Sequence, residues 1–75
     1  MNYLSREKAE RYRRENPANS RVELISMDDL QAPPTGTQGT VLGVDDAGNI
    51  LMDWDNGSRL NVVIDVDIVR KLNTI

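Results

Sequence analysis

Apolar and polar positions along the chain follow a helical period up to about residue 16 and a period of two from residue 21 onward. In the first stretch apolar residues are sparse. Leu4 and Tyr12 are eight apart and share one narrow stripe with Lys8 between them, and Ala9 lies beside it. Ser5 is placed as an N-cap, and Glu7 in the first turn complements the helix dipole. Arg, Lys, Glu and Ala are good helix formers, and Glu7 with Arg11 and Glu10 with Arg14 have the favourable i,i+4 orientation. Pro17 ends the helix, because the residue before a proline avoids the α region. A helix of about eleven residues does not hold alone in water, so this one either docks through Tyr12 or frays.

The alternating pattern then predicts five short strands. Residues 21–25 form the first, with Val22 and Leu24 on one face. Residues 27–39 make a long loop with adjacent acids, adjacent prolines and two glycines, a composition that does not pair as a strand. The second strand is 40–44. Residues 45–49 connect it to the third, 50–54, with Gly48 suited to a left-handed position after a type I turn. Ile50, Met52 and Trp54 share a face of that third strand. Asn56-Gly57 between alternating runs signals a hairpin with a type I′ turn, which needs positive φ twice. The fourth strand is 59–64, with Leu60, Val62 and Ile64 inward. Asp65-Val66-Asp67 makes one tight turn, and 68–72 closes the sheet. The expected core is Val22, Leu24, Val41, Val44, Ile50, Met52, Leu60, Val62, Ile64 and Val69.

A long first loop, two tight hairpins and a one-turn break before the last strand describe a mainly β fold. We expect a small five-stranded antiparallel SH3-like barrel over residues 20–75, with a charged N-terminal α-helix and connector over 1–19. An OB-like barrel fits less well, because that fold places a helix between its third and fourth strands and only four turn residues separate them here.

Composition narrows the chemistry. The chain has 75 residues and neither cysteine nor histidine. A Ser-His-Asp or Cys-His arrangement cannot be built, and the usual general base near pH 7 is missing. We expect no enzyme, no catalytic residues, no cofactor and no metal. Asp28-Asp29, Asp45-Asp46 and Asp53 with Asp55 are candidate cation ligands by residue type, but none has the spacing of a calcium loop. The absence of cysteine and of a long apolar run points to a cytoplasmic protein with no membrane contact and no signal peptide. Charge is uneven: six cations against three acids give +3 over residues 1–21, and three cations against nine acids give −6 over 22–75. A basic arm on an acidic body is a surface for either solvent or a partner.

From Arg21 onward the residues resemble a known family. The stretches Arg21-Val22-Glu23-Leu24-Ile25, Met27-Asp28-Asp29, Ala32-Pro33-Pro34, Gly36, Gly39-Thr40-Val41, Val44-Asp45-Asp46 and Trp54-Asp55-Asn56-Gly57 look like a short bacterial domain-of-unknown-function family. Its members are carried largely by plasmids, conjugative elements and phages. The resemblance implies an SH3-like barrel and a mobile genetic element as source, and it implies no activity. Two shorter likenesses accompany it. Gly39-x-Val41 is similar to the glycine-centred motif of ribosomal and transcription-factor barrels, and the Trp54 hairpin is similar to that of peptide-binding mind-bomb-type barrels.

These features predict a non-catalytic protein-binding module, an adaptor or inhibitor, whose partner is a host or element-encoded protein. The long loop is the expected contact surface, through Met27, Asp28, Asp29, Leu30, Pro33 and Pro34. Trp54 reads either as core, in line with Ile50 and Met52, or as a plate bordering that loop. Arg11, Arg13 and Arg14 form a secondary electrostatic surface. The alternatives are a nucleic-acid-binding barrel, which the acidic body disfavours, and an acidic mimic that blocks a host defence enzyme.

Overall fold

The computed structural model describes residues 5–72. Its first element is the helix α1, Arg6–Glu15. Ser5 caps it as expected, its hydroxyl accepting the Lys8 N–H at 3.2 Å. Asn16 closes the other end, with its backbone N–H at 2.9 Å and its side-chain amide at 3.0 Å from the Tyr12 carbonyl. The expected partners within the helix are exchanged. Arg6 pairs with Glu10 at 3.3 Å and Arg11 with Glu15 at 3.7 Å. Glu10 and Arg11 each have a neighbour of opposite charge on both sides, and exposed pairs of this kind differ by only a few tenths of a kcal/mol.

The helix docks. Ala9 and Tyr12 are buried, and the Tyr12 ring joins the core of the sheet. Its hydroxyl donates to Asp65 Oδ2 at 3.2 Å. The next residue clamps the other side: Arg13 Nε donates to the Val44 carbonyl at 3.2 Å and Nη2 to Asp46 at 2.6 Å. Leu4, expected to share the stripe, lies outside the described residues.

Five strands follow: β1 Arg21–Ser26, β2 Gln38–Val44, β3 Asn49–Trp54, β4 Val62–Val63 and β5 Ile68–Lys71. They form one antiparallel sheet in the order β4-β3-β2-β1-β5. The fold is therefore mainly β, with the first strand between the second and fifth, as in an SH3-like barrel. Register shifts between Val41 and Gly43 and between Leu24 and Ser26 bend the sheet where it must curl.

Both hairpins carry a left-handed glycine. Gly48 has φ +88° and its N–H reaches the Asp45 carbonyl, as the sequence predicts. The second differs from expectation. Only Gly57 is left-handed, at φ +92°, so Asn56 does not adopt the type I′ conformation. The Gly57 N–H bonds the Trp54 carbonyl at 2.9 Å and the Trp54 N–H bonds the Ser58 carbonyl at 3.0 Å. This is a type I turn followed by a glycine bulge, the same construction as the first hairpin.

The larger correction is β4, which has two residues where six were expected. Side chains replace its ladder bonds. Asn61 Oδ1 accepts the Met52 N–H at 3.3 Å, and Trp54 Nε1 donates to the Leu60 carbonyl at 2.7 Å. Residues 59–61 thus leave the sheet with the Leu60 carbonyl and the facing Met52 N–H still partnered. Leu60 is half-buried rather than core, and so are Ile64 in the following turn and Val69 on β5. The other seven expected core residues are buried, and Trp54 and Tyr12 complete the cluster.

Candidate functional site

The long loop is irregular over residues 27–37, and it is more tightly held than its composition suggests. The Gly36 N–H bonds the Leu24 carbonyl and the Leu24 N–H bonds the Thr37 carbonyl, both at 2.8 Å. Asp29 Oδ1 accepts the Gln31 N–H at 2.7 Å, a local turn that holds the near half of the loop. Gly36, at φ +94°, makes the reversal at the far end. The loop is therefore fastened to β1 at its return and free at its tip.

Its residues separate into three kinds. Leu30 stands fully exposed at the tip, and Asp28, Asp29 and Pro34 are also exposed. Met27 is half-buried and packs on the core. Pro33 is buried, so this proline anchors the loop and presents nothing to a partner.

Trp54 must also be removed from the contact surface. It is 1 % exposed. Its ring lies across Gly39, where an added Cβ would meet Trp54 Cε3 at 2.7 Å. The glycine of the Gly39-x-Val41 motif is thus accounted for by packing beneath the indole.

The structure brings Met27, Asp28 and Asp29 together with Leu60, Val63 and Val66 along a groove of about 360 Å³ between the loop and the β4 edge. On the other side of the turn after β4 runs a second groove of about 400 Å³, floored by Ile50, Val62 and Ile64 and walled by the end of α1. Val66 and Asp67 line both. The turn between the grooves is a ridge. The N–H groups of Val66 and Asp67 both bond the Val63 carbonyl, at 3.1 and 2.9 Å, and Asp67 Oδ2 accepts the Val63 N–H at 2.9 Å. Asp65 takes the left-handed backbone at φ +70°, which an aspartate tolerates.

The sequence does not reveal the ridge: Val63 and Ile68 read as strand residues and Asp65-Val66-Asp67 as a tight turn. Val63, Val66 and Ile68 are exposed on it, Val66 at 70 %. A valine between two aspartates, in a turn that favours polar side chains, was the available signal.

The basic residues are unequally available. Arg13 is spent on Val44 and Asp46, so it positions the helix. Arg11 lies 5.1 Å over the Tyr12 ring and pairs with Glu15. Lys8 and Arg14 make no ion pair among the described residues, and both line a shallow depression on the helix with Arg11. Arg21 grips Asp55 through both oxygens, one at 2.7 Å, and this holds the Asp55 carboxyl below its ordinary pKa.

No helix among the described residues is long and apolar enough to cross a membrane. Also among them, no three His, Cys, Asp or Glu side chains group to hold a metal ion. No curated protein and no solved structure matches the chain. A family model does match, over residues 5–72, a span that holds the helix, all five strands and both grooves; the chain belongs to the family described as a domain of unknown function (DUF4314).

Proposed function

We propose that this chain is a non-catalytic protein-binding module, an adaptor or inhibitor encoded by a mobile genetic element and acting in the cytoplasm on a host or element-encoded protein. The observation that carries this reading is the exposed apolar ridge Val63, Val66 and Ile68 beside the loop with its bare Leu30. Apolar side chains grouped at grooves mark contact surfaces on small soluble proteins. The source and compartment rest on the sequence: the family resemblance for the first, the cysteine-free chain for the second.

The nucleic-acid alternative is weakened by where the cations sit. Arg13 and Arg21 are held in pairs with Asp46 and Asp55, and Arg11 pairs with Glu15. That leaves Lys8 and Arg14 as the principal helix cations for phosphate, a small footprint for an interaction that phosphate contacts dominate.

The test is affinity capture of a partner with the full chain, followed by titration of the purified pair. Leu30→Ala and Val66→Ala should each weaken binding about tenfold, the size of a lost apolar anchor. Arg11→Glu with Arg14→Glu should leave it within about twofold. Binding that survives the first pair and disappears with the second would move the contact surface to the helix. A salt-dependent gel shift with DNA or RNA at micromolar protein would replace the reading altogether.

A further inference from the structure

The two grooves share a charge pattern. Glu15, Asp65 and Asp67 line the groove beside the helix, and Asp28, Asp29 and Asp67 line the one beside the loop. Among the described residues no Lys or Arg lines either. The ridge between them offers Val63, Val66 and Ile68. An apolar strip is thus bordered on both sides by carboxylates, while the cations lie on the helix or in pairs with other acids, apart from Lys71 at the end of β5, which lines neither groove.

From this we infer that the ridge and its grooves receive a cationic, apolar segment of a partner protein, with aliphatic or aromatic side chains set between Lys or Arg residues. The inference rests on the protein-binding reading above and adds the chemistry of the partner. Each part of the pattern has a separate role. The apolar anchors enter the grooves on either side of Val66 and supply the affinity. The carboxylates do not supply much of it, because exposed ion pairs contribute little. They set register, reject acidic segments and nucleic acid, and speed encounter, and all three effects weaken with salt. Two carboxylates are held in place before any partner arrives. Asp67 accepts the Val63 N–H and Asp65 the Tyr12 hydroxyl. Their positions are set by the fold, so ordering them costs the complex little.

The experiment pans random phage-displayed dodecapeptides against the immobilised full chain, then measures synthetic copies of the enriched peptides by fluorescence anisotropy and amide chemical shifts. Enriched peptides should carry Lys or Arg on both sides of apolar residues. They should shift the amides of residues 27–29 and 63–68. Val66→Ser should weaken them about tenfold, and Asp28→Asn with Asp29→Asn about threefold. The asparagine at 29 keeps an acceptor for the Gln31 N–H, so the loop survives. Raising salt from about 50 to 500 mM should shrink the effect of the asparagine pair but not that of Val66→Ser. Peptides that bind this ridge but are poor in Lys and Arg, or indifferent to salt, would overturn the charge inference and leave the binding module standing. Failure to enrich any peptide, or shifts confined to the helix, would remove both.

Discussion

Gly39→Ala probes the close packing of Trp54 against β2. A Cβ built at residue 39 would stand 2.7 Å from Trp54 Cε3, 3.0 Å from Met52 Cε and 3.1 Å from Trp54 Cδ2. Carbon atoms in contact prefer roughly 3.5–4.0 Å, so the indole or the strand must move by about 1 Å. The indole has little freedom to do so. It is 1 % exposed and its Nε1–H is tied to the Leu60 carbonyl at 2.7 Å. Overpacking of this kind costs about 1–3 kcal/mol. Replacing a glycine also restricts the unfolded chain, which returns about 0.4–1 kcal/mol. The net loss is about 1–2 kcal/mol, or a fall in Tm of about 5–15 °C for a domain of this size.

Gly43→Ala is the matching control in the same strand. A Cβ there meets nothing within 4 Å, and neither glycine has a left-handed backbone. This variant should melt at or slightly above the parent, because only the unfolded-state term remains. The assay is thermal and urea unfolding followed by circular dichroism and by emission of the single tryptophan. In Gly39→Ala the native emission should move to the red as the indole is displaced. If both variants melt within about 1 °C of the parent, the indole does not lie across Gly39 and the β2–β3 packing described above is wrong.

Three further perturbations probe the other supports of the fold. Trp54→Phe removes the donor to the Leu60 carbonyl and part of the core volume, and urea unfolding should show a loss of about 2–3 kcal/mol. Tyr12→Ala deletes the buried ring that docks α1, so helical ellipticity should fall together with a loss of about 2–4 kcal/mol. Asp45 is held below the ordinary carboxylate range, first by the Asn49 backbone N–H and also by the Asn49 side-chain amide and the Ala47 N–H. Its stabilisation is complete above the unfolded value of about 3.9 and is lost as pH falls from there through the folded value. Asp45→Asn should therefore lower Tm at pH 7, and the gap to the parent should close below about pH 4; a gap constant down to pH 2 would contradict the assignment.

The sheet was legible because its strands bury one face, and alternation of Val22 with Leu24, or Ile50 with Met52, reports that face directly. What alternation does not report is which polar group fills each backbone bond. Residues 59–64 alternate as well as any strand, yet Asn61 and Trp54 take the bonds that would have continued β4. The Asn56-Gly57 pair announced a hairpin correctly, but the choice between a two-residue and a three-residue tip depended on the Trp54–Ser58 bond across it. At the candidate site the loop was visible from its acids and prolines. Pro33 is buried in a loop whose return is tied to β1 through the Leu24 N–H and carbonyl, a pairing that local composition does not encode.

Val66 is 70 % exposed, and the energetics of its two neighbours keep it outside. Burying a valine gains about 1.5–3 kcal/mol at best. Here it sits between Asp65 and Asp67, and turning the segment inward would carry both carboxylates toward the core. Each would lose several kcal/mol of hydration, and among the described residues no Lys or Arg lines either groove to offset it. The outward turn is therefore the stable one, and its geometry is set by other groups: the left-handed Asp65, the Asp67 carboxylate on the Val63 N–H, and the bonds to the Val63 carbonyl. None of these uses the Val66 side chain. Serine or threonine at 66 would make the same turn and expose less apolar surface, which ordinary solubility favours. The fold fixes where residue 66 points but supplies no reason for its being apolar; the partner proposed above would supply one.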